Sequence, residues 1–484
     1  MKKITRPPVV AILGHVDHGK TTLLDYIRKT HVANKEHGGI TQKIGGYEVT
    51  TDFKGYDVNK ITFIDTPGHE AFSQLRIRGA SVADIAILVV DAKDSLMPQT
   101  VESIFHIKNA KIPFIVAFNK MDLPDANPNK VKIDLMKYEI ITDDKGGTVP
   151  SVGISAKTGT GVDELLESIL LVASELHLEA DLDASPEAYI IEKKKDRRGI
   201  AVSAIIKQGS LKQGDTVFAG SYQAKIKALI NDKGIPVDVV IPSQPFELMG
   251  FNEMPDVGEK ITSMANPSTA PAEKKIQSKT LTMEMFNAPK VTEKKLSIIV
   301  KADSQGSLEA INNYLNKNES VKIILSTIGD IYRSDIFLAK TTSAIVIGFS
   351  VQMDNEVREL AKQEKVIIKT YNIIYELIEE LQEVSRLLQE KEIKEKSMKG
   401  EAKLLASFII EGEKIFGVKI VKGKINLGDS VEVYRDGNMI GKSKLVSLKV
   451  RAKPTQEVKK DQEAGMILNP SLDIRVGDMI QSIS

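Results

Sequence analysis

The sequence predicts an α/β multidomain protein in which a P-loop α/β domain is followed by a β-barrel, an α/β sandwich domain, a long connecting helix and a second β-barrel. Three observations carry this expectation. From Val9 to about Leu176, short β-branched apolar runs (VVAIL, ITFID, IAILVVDA, FIVAFN, VGISA) alternate with amphipathic stretches, as in a parallel sheet covered by helices. Two other stretches, from about Ala184 to Asn266 and from Gly400 to Ser484, read as short strands cut by Gly, Pro and Asp turns with little helical period. The length of 484 residues exceeds what one hydrophobic core supports, since cores stop growing at roughly 250–300 residues.

Between the two turn-rich stretches, Leu296 to about Ile374 returns to strand and helix alternation (LSIIVKA, SLEAINNYLNK, VKIILSTIG, AIVIGFS, NEVRELAKQE, VIIKTY), a compact α/β unit. Tyr375 to Lys399 lacks Gly and Pro, is dense in Glu and Lys and loses its apolar stripe toward the end, as expected of an exposed connecting helix. The expected boundaries are 1–178, 179–270, 271–375, 376–399 and 400–484. The two turn-rich stretches also align on each other. Gly209, Gly214 and Asp215 fall on Gly423, Gly428 and Asp429, and each segment closes with a similar phrase, PDVGEKI at Pro255 and IRVGDMI at Ile474. Two related barrels are expected.

Composition excludes several classes. Hydrophobic residues make up 42% and charged residues 27%, the proportions of folded soluble domains. With no cysteine there is no disulfide framework and no thiolate metal site, so zinc fingers are excluded and a reducing cytoplasm is the expected compartment. The start MKKITRPPVVAILGHVDHGK passes into a glycine loop without a signal-peptide core, and no run reaches the roughly 18 apolar residues of a membrane span. No membrane partner is expected. The net charge of +1, from 66 basic and 65 acidic residues, does not by itself announce nucleic-acid binding.

The strongest chemical signal is Gly14–Thr21, GHVDHGKT, after the strand VVAIL and before the helix TTLLDYIRK. It satisfies G-x-x-x-x-G-K-[ST], in which backbone N–H groups of Gly14, His15, Val16, Asp17, His18 and Gly19 curl around phosphate oxygens. Lys20 is placed to reach the β- and γ-phosphates, the Thr21 hydroxyl to ligate Mg²⁺, and Thr22 to continue the helix start. NKMD at the end of the strand FIVAF selects the base. The Asp122 carboxylate can accept both the N1 and N2 protons of guanine, Asn119 flanks it, the Lys120 stem can lie across the ring, and Ser155, Ala156 and Lys157 follow downstream. In DTPGH after ITFI, Asp65 can hold Mg²⁺ through a water and the Gly68 amide can donate to the γ-phosphate. Thr41 in GGIT can add a second metal-binding hydroxyl while GTP is bound. His69, directly after the γ-phosphate sensor, is the catalytic candidate for orienting the attacking water. His15 and His18 are variable loop positions, and His31 and His37 fall in a switch.

GHVDHGKTT, GGITQ, DTPGHEAF, NKMD and SAK resemble the guanine-nucleotide domain of translational GTPases, and GGITQKIG narrows the resemblance to the bacterial initiation factor 2 family. LSIIVKADSQGSLEAI, IVIGFSV, YNIIYELI and VYRDGNMIGKSKLVSLK are similar to later parts of that family, so the resemblance covers the chain from Arg6 onward. It implies a GTP- and GDP-binding, Mg²⁺-dependent, monomeric factor that hydrolyses GTP on the ribosome. The implied partners are the small and large ribosomal subunits, formylmethionyl initiator tRNA, bound through the last barrel, and other initiation factors. Residues there are expected to include Val418, Ala464 and Gly465 around the aminoacyl end and Lys449, Arg451 and Lys453 on the backbone, within an acid-free run from Gly437 to Gln456 that also holds Lys442 and Lys444. Val418 and Ala464 stand where the family often has cysteine, Val450 interrupts the usual SLK-Arg sequence, and Arg333 replaces a usual acid. The family's variable N-terminal extension is missing, so a minimal or trimmed form is expected. An elongation factor Tu or selenocysteine factor is disfavoured by the α/β domain between the barrels, the archaeal and eukaryotic relative by the end at IRVGDMIQSIS. A non-hydrolysing scaffold is disfavoured by Lys20, Thr41 and His69.

Overall fold

A computed structural model describes residues 3–30, 41–196, 198–264, 295–318, 320–410, 413–451 and 453–483. His31, His37 and Gly38 to Ile40, as well as the expected boundary at 270/271, lie outside the described residues. The chain forms two compact units, Met1–Glu379 and Glu380–Ser484.

The first unit opens with a six-stranded sheet in the order Gly45–Thr50, Lys60–Asp65, Val9–Gly14, Ile85–Asp91, Phe114–Asn119, Ser151–Gly153. All neighbours are parallel except Gly45–Thr50, which runs antiparallel to Lys60–Asp65. Val9–Gly14 and Ile85–Asp91 are buried at every position, which explains why they read as unbroken apolar runs rather than alternating ones. Helices cover both faces. Val162–Glu175 packs Leu165, Ile169 and Leu170 with Leu23 of Lys20–Arg28, and on the other face Ile104 and Ile107 of Pro98–Ala110 join Val131 and Leu135 of Pro128–Met136.

A barrel follows, in the order Thr216–Ala219, Lys260–Thr262, Glu187–Asp196, Gly199–Gln208, Pro245–Phe251, Tyr222–Asn231, closed by pairing of the last with the first. It is anchored to the first sheet through a buried charge cluster. Arg6 clamps Asp84 with both guanidinium nitrogens at 2.7 and 2.8 Å, and Lys207 from the barrel reaches the same carboxylate at 2.7 Å. Ser243 accepts from Arg6 at 3.3 Å and donates to the Pro7 carbonyl at 2.6 Å, while Lys3–Thr5 pairs with Glu179–Asp181. Burial opposes charge on Asp84, but Arg6 and Lys207 hold its carboxyl below the usual range.

The α/β unit after residue 295 is a four-stranded parallel sheet in the order Val321–Ile328, Leu296–Ala302, Ile345–Phe349, Ile368–Tyr371. It is seated on the rest of the unit by Arg78 to Glu309 at 2.5 Å, by an ion pair between Lys43 and Asp303, and by the Gly306 N–H donating to the buried Glu192 carboxylate at 3.2 Å. The long helix runs Ile374–Ser397, so Met398 and Lys399, expected to end it, instead begin a strand, Met398–Ile410. Nor is it exposed throughout, because Ile374, Leu377 and Leu381 form a buried stripe along its first turns. No helix among the described residues is long and apolar enough to cross a membrane.

The second unit is a closed barrel in the order Met398–Ile410, Met479–Ile483, Ser430–Arg435, Asn438–Val450, Glu463–Asn469, Glu413–Asn426, with the last pairing back to the first. It repeats the first barrel bond by bond. Gly209 and Gly423 are left-handed at φ 69° and 66°, and Gly214 and Gly428 at 92° and 87°. Asp215 accepts from Lys212 N–H and Asp429 from Asn426 N–H, each at 2.8 Å. The copies differ in what else the aspartate holds, since Asp429 also accepts from Ser482 at 2.6 Å and Lys399 at 3.0 Å. Asp429→Ala leaves the buried Ser482 hydroxyl without that acceptor, so amide protection in Glu413–Asn426 should fall by about 10- to 100-fold in hydrogen exchange, against less than about fivefold around Asp215 in Asp215→Ala.

Candidate functional site

The loop after Val9–Gly14 is threaded so tightly that two glycines are obligatory. At Gly14, φ +148°, a Cβ would lie 2.4 Å from the Val89 carbonyl oxygen, and at Gly19, φ +89°, 2.2 Å from Asn119 Nδ2. Helix Lys20–Arg28 starts there, so its first N–H groups and the Lys20 and Thr21 side chains face one cavity of about 370 Å³. Val16, Asp17, Gly19, Lys20, Thr21 and Thr22 line it, whereas Gly14, His15 and His18 support the loop from outside that lining. Lys20 is buried and donates to the His15 carbonyl at 2.5 Å, and burial lowers its pKa to about 8. The His18 ring is buried beside Val89. Burial, with His15 next to it, drives it down to about 3, so it is a neutral core imidazole whose contribution to the loop is its backbone.

At the opposite end, strand Phe114–Asn119 delivers the base-side residues. Asn119 donates to the His18 carbonyl at 2.7 Å and accepts from Ala156 N–H at 2.9 Å, tying three loops together. Ser155 donates to Asp122 Oδ1 at 2.7 Å, fixing the carboxylate at the cavity wall. Lys120, left-handed at φ 65°, pairs its ammonium with the buried Asp91 at 2.7 Å, which stretches its stem along the wall shared with Ala156 and Lys157. Leu123 also lines the cavity, and only its place next to NKMD could have marked it.

Between these ends lie the groups aimed at the terminal phosphate. Thr21 Oγ1 and Thr41 Oγ1 are 2.6 Å apart, and Thr41 donates to Asp65 Oδ2 at 3.3 Å. Two hydroxyls and a carboxylate converging in this way are hard oxygen donors, the set that Mg²⁺ takes when phosphate and water complete its shell, so the residues present fit that ion. Gly68 sits against the phosphate loop, where a Cβ would be 2.9 Å from Val16 N. His69 lines the same cavity. Its Nδ1 accepts from Ala71 N–H at 2.9 Å, which leaves the proton on Nε2, and burial lowers its pKa below the ordinary value, so it is neutral at pH 7.

Arg76 escaped the sequence reading. Its fully buried guanidinium donates to the carbonyls of Pro67 at 3.0 Å and His69 at 2.6 Å, the two residues flanking Gly68, and pairs with Glu102 at 2.6 Å. The arginine lies on the helix Ser73–Val82 with no local motif around it, so only the fold reveals that it sets the direction of the Gly68 N–H.

In the last barrel, Val418 and Ala464 are register partners whose side chains point into the core, among Phe416, Ile420 and Met466. Both are buried, so their side chains face the core rather than the surface where an aminoacyl end was expected. Gly417 and Gly465 pair next to them, and Gly465 also pairs with Lys449, while a Cβ on Gly417 would meet Phe408 at 3.7 Å and one on Gly465 would meet Ile415 at 3.4 Å. Two neighbouring positions there thus carry no side chain, beside Lys449. Lys449, Arg451 and Lys453 are exposed on one hairpin, with Arg451 left-handed at φ 49°, and they have no acidic partner among the described residues. Lys442 of the same basic run is paired with Glu432 at 2.8 Å.

Comparison with known proteins accounts for this assembly. Residues 6–175 match the Elongation factor Tu GTP binding domain, 185–264 match Elongation factor G domain 2, and 271–382 match Translation-initiation factor 2. The translation initiation factor IF-2 of Caldanaerobacter subterraneus is 40% identical over 99% of this chain and 69% of its own length. The chain belongs to the translation initiation factor IF-2 family. The IF-2 proteins of Aquifex aeolicus and Desulforamulus reducens are 43% and 42% identical over 98% and 100% of this chain, which spans 61% and 50% of their lengths. A GDP-bound aIF5B from Aeropyrum pernix, 27% identical, aligns over 99% of this chain and 92% of its own at a TM-score of 0.46.

If the Gly68 N–H is the donor to the phosphate that GTP has and GDP lacks, the Arg76 anchors bear on GTP and not on GDP. Arg76→Met keeps the stem and removes both carbonyl anchors. It should weaken GTP binding by roughly 10-fold while GDP binding changes by less than about threefold, as read by competitive nucleotide titration.

Proposed function

We propose that the chain is a GTP-dependent initiation factor. It binds GTP with Mg²⁺, places formylmethionyl initiator tRNA on the small ribosomal subunit beside other initiation factors, promotes joining of the large subunit and hydrolyses GTP when the assembled ribosome engages it. The observation that carries this reading is the Asn119–Asp122 segment fixed across one cavity from the phosphate loop, in a chain of the IF-2 family. A cytoplasmic, monomeric protein with no membrane partner is consistent with it. The division of labour follows the five segments 1–178, 179–270, 271–375, 376–399 and 400–484, with nucleotide chemistry in the first and tRNA in the last.

In the proposed reaction Lys20 exchanges the His15 carbonyl for the β- and γ-phosphate oxygens, an exchange of one acceptor for anionic ones that recovers its full charge. Thr21, Thr41 and, through a water, Asp65 would hold Mg²⁺, which neutralises charge between the phosphates. Gly68 N–H donates to the γ-phosphate from a backbone held by Arg76, and the neutral His69, with its ring turned away from Ala71, orients the attacking water. Asp122 accepts the guanine N1 and N2 protons while Ser155 donates to a further lone pair on Oδ1.

Base choice is tested by Asp122→Asn. An amide presents a donor where guanine needs an acceptor, so affinity should move from guanine toward xanthine nucleotides, and an unchanged affinity for GDP would sink the assignment.

The tRNA role is supported by Lys449, Arg451 and Lys453, exposed and without an acidic partner among the described residues, beside Gly417 and Gly465. Removing the three charges together should weaken binding of all tRNAs and reduce the slope of log affinity against log salt by roughly two to three. Preference for the formylated end, which we assign to the surface around Gly417 and Gly465, should persist, and an unaltered slope would put the RNA site elsewhere.

A further inference from the structure

The corner that holds His69 has a wall that none of the nucleotide motifs supplies. It is the segment entering the long helix. Gln42, next to Thr41, is buried and bonds this segment with both ends of its amide: Nε2 donates to the Asn372 carbonyl at 2.9 Å, and Oε1 accepts from Ile374 N–H at 3.0 Å. One residue on, the Tyr375 ring lies 4.3 Å from the His69 ring, tilted by 58°, with Phe72 edge-on at 6.1 Å on the same imidazole. These contacts lie within the first compact unit.

The orientation they enforce is a resting one. His69 acts as the cap of the short turn Glu70–Phe72, with its ring folded back so that Nδ1 accepts from Ala71 N–H. Its carbonyl is held by Arg76, and Tyr375 packs against the ring, so turning the imidazole out of this orientation means moving it against Tyr375. Gln42 makes that obstacle sensitive to the neighbouring Thr41, since a rearrangement at 41–42 breaks both amide bonds to the helix start.

We propose that Tyr375 is a positioning residue for GTP hydrolysis that holds His69 in its folded-back orientation until residues 372–375 are released. This rests on the reading of His69 as the group that orients water. An aromatic pair of this kind shifts a two-state population by roughly two- to tenfold, which sets the size of the expected effect.

The test is hydrolysis of GTP by the full chain without ribosomes, with GDP affinity measured on each variant. Tyr375→Ala should raise kcat by about two- to tenfold with KM and GDP affinity unchanged, Tyr375→Phe should return the rate to that of the parent, and the rise should vanish when combined with His69→Ala. If Tyr375→Ala folds poorly, Tyr375→Leu keeps the volume and removes the ring, with the same expectation. A basal rate that stays level or falls overturns the proposal, as does a rise that survives His69→Ala. The two readings separate on ribosomes. If His69→Ala abolishes stimulated hydrolysis while Tyr375→Ala leaves basal kcat alone, only the role of Tyr375 fails. If His69→Ala hydrolyses GTP on ribosomes like the parent, both fail.

Discussion

Asn119 stands at the carboxyl end of a buried strand, where its side-chain amide is almost completely enclosed and spends both of its ends on backbone. Its nitrogen donates to the carbonyl of His18 and its oxygen accepts from the N–H of Ala156, so one planar group fixes the distance between the phosphate loop, its own loop and the loop carrying Ser155. An aspartate could not donate and a leucine could do neither. Gly19 completes the fit, since any Cβ there would collide with this amide. The rest of the site follows from that spacing. Once the loops are set, the helix starting at Lys20 aims its first turn into the cavity, and Ser155 can reach across to Asp122.

Much of this was legible in the sequence because it is local. GHVDHGKT and NKMD place their chemistry within a few residues of a strand end, and a strand end is what short apolar β-branched runs announce. What escaped comes from distant segments. Arg76 reaches back to Pro67 and His69 from a helix with no motif, and Gln42 meets a helix start more than three hundred residues later. Val418 and Ala464 illustrate a different failure. The resemblance places them at an aminoacyl end, yet the two-residue period of a strand places Phe416, Val418 and Ile420 on one face, with Gly417 and Lys419 on the other. The period was readable, and it puts both residues inside. In the long helix the apolar stripe of the early turns is legible in the sequence, but the Glu and Lys that follow make the helix read as exposed, whereas Ile374, Leu377 and Leu381 are buried.

The two barrels show how little of a fold is committed to its use. Their turn glycines are left-handed alike and each aspartate accepts a backbone N–H at 2.8 Å, and both close completely, which removes the free edges that would otherwise invite pairing between chains. Their differences lie outside that frame. In the first barrel Lys207 is spent on Asp84 and locks the barrel onto the sheet domain, while in the second a cluster of cations on one hairpin is left to solvent. One scaffold serves once as a fixed support and once as a surface.

The clamp around Asp84 also orders events during synthesis. Arg6 bonds a serine 237 residues further along the chain, and the strand Lys3–Thr5 finds its partner only at Glu179–Asp181. At bacterial elongation rates that interval is on the order of ten to fifty seconds. Until residue 181 is made the nascent sheet domain carries an unsecured leading strand, and until the barrel emerges Asp84 lacks Lys207 and Arg6 lacks Ser243. Vectorial growth of the chain therefore makes the barrel the fastener of the domain before it, and a polypeptide stopped short of residue 179 would present quality-control proteases with an untied end.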